Sequence, residues 1–325
     1  MIRRNMFVLP LICTGFPVLA ESYPARAVKV VVPYPAGGTL DALARAIVHA
    51  LQSQANFPAI VENKSGANGI IGTEAVANAT ADGYTLLFNS SAMQINEVIY
   101  SKIKYKTLRD FVPISESVYL AENLLLVHQQ STYKSMQELL AAAKASPRTV
   151  TYGSPGVGNG QQILMESIAQ QAGLKLHHIP YRGIPDMLNA LLRQEIDMIF
   201  LNPLLAEPHL QASKIRALAT VANDGSKRAK RLPDVPAMAE VLSGFHWSPT
   251  RFGFYAATQT PVERIASVQK ALASALDNGE LRRYLADGGF EPVGGNSQQF
   301  RTGIEADLVR YAKVAAAAGI SLERN

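Results

Sequence analysis

The residues able to do chemistry cluster in two glycine loops, Tyr34-Pro35-Ala36-Gly37-Gly38-Thr39 and Ser154-Pro155-Gly156-Val157-Gly158-Asn159. Each follows a short β-branched run, Lys29 to Val32 and Thr149 to Tyr152, and each leads into a helical pattern. Glycine lets backbone come close to a ligand, and the first N–H groups of a helix lack a partner within it. A strand, glycine loop and helix start in succession therefore form a cradle for an anion. Two cradles on two halves of the chain imply a cleft. The candidate contacts are Tyr34, Ala36, Gly37, Gly38 and Thr39 from the first loop, with Ser154, Gly156, Val157, Gly158 and Asn159 from the second. Asp41, in the first helical turn, complements the helix dipole or meets a ligand ammonium group. Asn89, Ser90 and Ser91 offer an amide and two hydroxyls after the strand-like Thr85 to Phe88. Tyr181 can wall the cleft, and Asn202 follows the apolar Ile199-Phe200-Leu201.

Enzyme signatures are weak by comparison. Gly156-Val157-Gly158-Asn159-Gly160 lacks the G-x-G-x-x-G spacing of a dinucleotide loop, and the strand His177 to Tyr181 carries no acid to hold a ribose. Gly153-Ser154-Pro155-Gly156 is one residue short of a G-x-S-x-G nucleophile elbow. Ser154 as nucleophile has nothing at a recognisable spacing to activate it. None of His49, His128, His177, His178, His209 and His246 stands at a metal-ligand spacing, and the adjacent His177 and His178 point to opposite faces of a strand. Neither a metal nor a cofactor is expected.

The ends and the composition narrow the setting. Residues 1–20 carry Arg3 and Arg4, an apolar run from Met6 to Leu19 and the small-residue pattern Val18-Leu19-Ala20, which reads as a secretory signal peptide. No stretch holds the roughly 18 uninterrupted apolar residues of a membrane helix. Cys13, the single cysteine, lies inside this leader, so the exported chain has no disulfide. Removing two arginines lowers the formal charge from +5 to +3, with 29 basic against 26 acidic residues. That mild excess is not a nucleic-acid signature. The dense basic run Lys227-Arg228-Ala229-Lys230-Arg231 has no interleaved aromatics and reads as a solvated loop.

Strand-like and helical runs alternate along the chain: Ala27 to Val32 then Leu40 to Gln54, Ala59 to Glu62 then Ile71 to Ala79, Thr85 to Asn89 then Met93 onward. The grammar repeats from Thr149 through Ile196 to Leu201, and helices at Pro261 to Asp277 and Ser297 to Gly319 close the chain. This predicts an α/β protein with largely parallel sheets. Phe111 to Val127 and Lys214 to Val221 are the candidate hinge crossings. Domain 1 is then discontinuous, 21–122 plus 222–325, and domain 2 is the inserted segment 123–221.

The motifs Val32-Pro33-Tyr34-Pro35-Ala36-Gly37-Gly38, Val61-Glu62-Asn63-Lys64, Asp82-Gly83-Tyr84-Thr85-Leu86, Tyr152-Gly153-Ser154, Ile179-Pro180-Tyr181-Arg182-Gly183 and Leu232-Pro233-Asp234-Val235-Pro236 occur in this order. In that order the chain resembles the extracytoplasmic solute receptors of tripartite tricarboxylate transporters, the Bug family. The resemblance implies a type II-like, two-domain periplasmic binding protein that closes on a small carboxylate, a dicarboxylate, amino acid or aromatic acid, through loop amides and ordered water. It also implies membrane transporter subunits as partners; a sensor kinase that reads the closed form is the alternative, and a monomer is expected. A secreted hydrolase or transferase using Ser154 stays open at this level. Arg251 stands where the family has a tryptophan and must find either water or a partner.

Overall fold

A computed structural model describes residues 23–222, 227–229, 231–247 and 249–317; the expected leader lies outside the described residues. Leu40, Leu43, Ala44, Ile47 and Leu51 recur at three- and four-residue steps and make one apolar stripe, so the chain from Thr39 to Ala55 coils into a helix that buries it. The first part of the chain runs β1 (Val28–Val32), α1 (Thr39–Ala55), β2 (Ala59–Asn63), α2 (Ile70–Ala77), β3 (Thr85–Ser90), α3 (Ala92–Ile99), the single turn α4 (Thr107–Asp110) and β4 (Phe111–Leu120). Next come β5 (Glu122–His128), α5 (Met136–Ala145), β6 (Thr151–Ser154), α6 (Gly160–Ala172), β7 (His177–Pro180), α7 (Ile184–Leu192), β8 (Met198–Leu201), α8 (Pro203–Gln211), β9 (Ile215–Ala222) and the turn α9 (Met238–Val241). The chain ends in β10 (Arg251–Ala257), α10 (Val262–Leu276), α11 (Gly279–Asp287), β11 (Phe290–Pro292) and α12 (Ser297–Ala317).

These strands make two sheets, one ordered β11-β4-β10-β3-β1-β2 and the other β7-β6-β8-β5-β9. Each has its own core. Val30, Phe88 and Phe254 pack under α1, α10 and α11 on one face of the first sheet, while Val31, Leu87 and Tyr255 meet Phe300 and Ile304 of α12 on the other. The second sheet is covered by α5 and α6 on one face and by α7 and α8 on the other.

Two sequence expectations are corrected here. The sheets are mixed: β1 pairs in parallel with β2 and β3, and β6 with β7 and β8, but β10 runs antiparallel to β3 and β4, and β5 to β8 and β9. A strand that enters its sheet from the other unit needs no crossover helix, so nothing obliges it to run parallel. The second crossing is also displaced from 222. Residues 227–229 and 231–247 stay with the second sheet, where Ala237 bridges Thr220 and where Met238 and Phe245 enter the core. The chain returns only at 249–250, where Thr250 O accepts from Leu120 N at 2.8 Å. The first crossing is a single residue, Ala121, between β4 and β5, and Gly289 O accepts from both Ala121 N (2.8 Å) and Glu122 N (2.9 Å).

The basic run is tied down by ion pairs. Arg228 chelates Glu240 at 2.6 and 2.7 Å, and Arg231 pairs with Asp287 of the first unit. Lys230 lies outside the described residues. Among the described residues no helix is long and apolar enough to cross a membrane.

Arg251, its side chain 34% exposed, turns to two buried acids and does not line the pocket. Its Nη1 meets both Glu116 oxygens at 2.7 and 2.9 Å and its Nε lies 3.2 Å from Asp307, which also takes Arg310 at 2.8 Å. Glu116 and Asp307 are 5% and 2% exposed, so the arginine is the charge that lets two acids sit between β4 and α12. Burial pushes both carboxyls above their usual values, against the pull of Arg251. Arg251→Met is expected to destabilise the protein by about 3–5 kcal/mol at pH 7 in urea unfolding, because it strands buried charge. The deficit should shrink on acidification: the folded form holds protons on these raised groups that the unfolded form has already released, so protonation favours the folded variant.

Candidate functional site

Five helices begin around one pocket. The N-cap residues of α1, α3, α6, α7 and α8 are Gly38, Ser91, Asn159, Gly183 and Asn202, and all five line it. The topology produces this convergence, because β1, β3, β6, β7 and β8 each hand over at the C-terminal end to the helix that follows. The remaining walls come from Tyr34, Pro35, Thr39, Ile95, Leu120, Asn123, Gln161, Leu164, Val221, Trp247, Thr250, Phe252 and Tyr311, among others, and among the described residues no Asp, Glu, Lys, Arg or His lines it. The empty volume is ≈ 990 Å³ with its open mouth included. Each helix start carries partial positive charge and outward N–H groups, so the pocket attracts an anion with no fixed cation in it.

In the first loop, Tyr34, Gly38 and Thr39 reach the pocket, while Ala36 and Gly37 lie exposed outside it. Asp41 lies in the first turn of α1, where its charge complements the helix dipole, and it does not line the pocket. Its carboxylate accepts from Gly37 N (2.9 Å), Arg45 Nε (2.9 Å) and Asn63 Nδ2 (3.0 Å), which turns it back onto its own loop. Burial alone would raise its pKa, but the bonds from Arg45, Gly37 and Asn63 outweigh that and hold it below the usual value. The Gly37 amide is thereby used within the protein, with Gly37 at φ +80°, where a β-carbon is strained.

In the second loop Pro155 and Asn159 line the pocket, and the Asn159 side chain accepts from Gln161 N at 2.9 Å. Ser154 is wholly buried, and its hydroxyl sits 2.8 Å from Gly156 O and 2.6 Å from His178 Nε2. The parallel pairing of β6 with β7 sets His178 opposite Tyr152, whose ring it stacks on at 4.9 Å. That neighbour was invisible in the spacing of the sequence. Burial first, and then the charge of His177, lowers the His178 pKa to about 4. Gly158 N donates to Gln162 Oε1 at 2.6 Å, and Val157 O accepts from Tyr100 OH (3.0 Å) and Asn68 Nδ2 (3.2 Å). Gly156, Val157 and Gly158 thus seal the lips instead of facing the pocket.

Of the other expected residues, Ser90, Ser91 and Asn202 line the pocket, and Asn202 Nδ2 donates to Thr39 Oγ1 across the two units at 2.6 Å. Asn89 does not: its amide bonds Thr73 Oγ1 (3.0 Å) and Ser90 N (2.8 Å) inside the first unit. Tyr181 packs half-buried against the α7–α8 face of the second sheet. Sequence reasoning missed Asn123, Gln161, Trp247, Phe252 and Tyr311. A single tryptophan in a Gly-Phe-His-Trp-Ser-Pro stretch was the one available signal among them.

The lips touch. Besides the Asn202–Thr39 and Asn68–Val157 bonds, Asn159 Nδ2 lies 3.5 Å from Asn68 Oδ1, and Ile95, Ile99, Ile163, Tyr311 and Ala315 form a small apolar cluster drawn from both units. Two α/β units, two crossings and a ligand-sized pocket between facing helix starts define a two-domain periplasmic binding protein. Residues 43–320 match the family described as tripartite tricarboxylate transporter family receptor, and the chain belongs to that family. It is 32% identical over 314 residues to protein BugT of Bordetella pertussis, covering 94% of each chain. Among solved structures it is similar to the periplasmic binding protein BugD (TM-score 0.85, 25% identity, 93% of this chain and 100% of that one). It is likewise similar to R. palustris Rpa4515, solved with adipate (TM-score 0.86, 30% identity, 93% and 100%).

Two outcomes follow from this geometry. A β-carbon on Gly158, at φ +75°, would stand 1.9 Å from Ile99 Cδ1 across the lips. Gly158→Ala is therefore expected to cost closure about 1–3 kcal/mol, read as a larger radius of gyration by small-angle X-ray scattering, with Ile99→Val restoring part of it. Folding stability should fall as pH drops from about 6.5 toward 4, because the unfolded chain protonates His178 before the folded one does. His178→Gln should flatten that limb in urea titrations.

Proposed function

We propose that this chain captures a small carboxylate between its two domains in the periplasm and presents it to the membrane subunits of a tripartite tricarboxylate-type transporter. The observation that carries the reading is the meeting of five helix N-caps in one uncharged pocket. A carboxylate takes several charge-assisted bonds from such amides, together stronger than neutral ones, and no fixed cation is needed. The adipate held by Rpa4515 supports the same ligand class. Tyr34, Gly38, Thr39, Ser90, Ser91, Asn159 and Asn202 are the contacts we assign. Ala36, Gly37, Asp41, Asn89, Ser154, Gly156, Val157, Gly158 and Tyr181 act indirectly, by shaping and closing the loops. Residues 1–20 serve as the export leader, and the receptor works as a monomer.

The Ser154–His178 contact is the one feature that favours hydrolase or transferase chemistry. Its setting argues for a brace: the hydroxyl is buried, outside the pocket, and shared with Gly156 O. A sensor kinase would read the same closed form; the transporter is the partner that the family supports.

The test is differential scanning fluorimetry of residues 21–325, denatured and refolded to strip carried ligand, against a carboxylate panel. A selective acid at a hundredfold excess over Kd is expected to stabilise the protein by about 2.7 kcal/mol and to change the emission of Trp247, the sole tryptophan. Silence toward every acid, or consumption of an acid that depends on Ser154, defeats the proposal.

A further inference from the structure

The wall made by the two crossings differs from the rest of the pocket. Leu120, Val221, Trp247, Pro249 and Phe252 give it a mainly apolar, partly aromatic surface, with Thr250 and Asn123 as its polar members. Asn123, paired to Val221 in the β5–β9 ladder, is set into that wall at 6% exposure, and its Oδ1 has no hydrogen-bond partner. Buried amide oxygens are nearly always satisfied, and one left bare in a pocket lining is a place where a donor from a ligand fits.

These features discriminate among acids. A second carboxylate, or the oxygen-rich chain of a hydroxylated tricarboxylate, would lose water against this wall and find no cation and no cluster of donors there. A flat ring has little polar surface to desolvate and gains contact with the aromatic side chains of Trp247 and Phe252. The acceptor at Asn123 asks for one donor, and an ammonium in such surroundings would be unpaired, whereas a hydroxyl is cheaply desolvated once bonded.

We propose that the ligand is an aromatic monocarboxylic acid bearing a ring hydroxyl, its carboxylate on the helix N-termini, its ring against Trp247 and Phe252, and its hydroxyl donating to Asn123 Oδ1. The assignment rests on the carboxylate-receptor reading above and narrows it to one chemical class.

Titration calorimetry on refolded residues 21–325 tests it with 3-hydroxybenzoate, 4-hydroxybenzoate, benzoate, adipate and malate as probes. One of the two hydroxybenzoates should bind at least about tenfold more tightly than benzoate, adipate and malate, because a site built around a hydroxyl rejects the analogue without it. Asn123→Leu should bring the hydroxybenzoate-to-benzoate ratio down to about one, with circular dichroism as the folding control. A hydroxybenzoate preference that survives in folded N123L overturns the role of Asn123. Adipate or malate binding more tightly than both hydroxybenzoates overturns the aromatic assignment and leaves the carboxylate reading standing. No binding by any of the five overturns both. The wild-type ranking decides the ligand class even where N123L does not fold.

Discussion

Holding a negative group inside a closed pocket without a fixed counter-charge is the constraint on which the architecture turns. Partial charges at helix starts are short-ranged, so several must point at the same few ångströms. Parallel strands that hand over to helices at one edge bring this about, and both sheets obey the rule at β1, β3, β6, β7 and β8. The price is paid in loop conformation: Asp41 and Gln162 spend their side chains satisfying amides at Gly37 and Gly158 that the tight turns leave over.

The second requirement is that the two units move and still agree on one closed form. The first crossing is reduced to Ala121, pinned with Glu122 on Gly289 O, and the second passes through the pocket wall itself at Trp247 and Pro249. A hinge that lines the site couples its angle to whatever fills the site. Helix α12 contributes from further off. Phe300 and Ile304 anchor it on the first sheet, Asp307 fixes it to Arg251, and Tyr311 and Ala315 meet Ile163 of the second unit. The buried Glu116–Arg251–Asp307 cluster thus holds in register a helix that touches both halves.

The two sheets answer different needs at their antiparallel strands. β10 enters between β3 and β4 after the whole second unit, which the chain enters at β5 and leaves at 249–250. Contacts distant in sequence, such as Asn123 with Val221 and Ser91 with Arg251, are what turn two loops into one pocket.

Sequence alone determined the α/β class, helices such as α1 with its apolar stripe and α10 with its Ala-rich composition, and both glycine loops, because these depend on local spacing, local propensity and the special conformations of glycine. It also carried the family motifs. Only the tertiary structure decided which loop residues face inward. Gly37 and Gly158 looked like anion donors, yet their amides are satisfied by Asp41 and Gln162, four residues on, once each helix has wound. Asp41 reads the same in sequence whether it meets a ligand or braces a loop. His178 reached Ser154 through strand pairing, and Asn123, Trp247 and Tyr311 reached the pocket through the crossings and α12, over separations that no local pattern encodes. Local patterning follows from short-range sterics and burial, whereas the inward face of a pocket between two units is set by long-range packing.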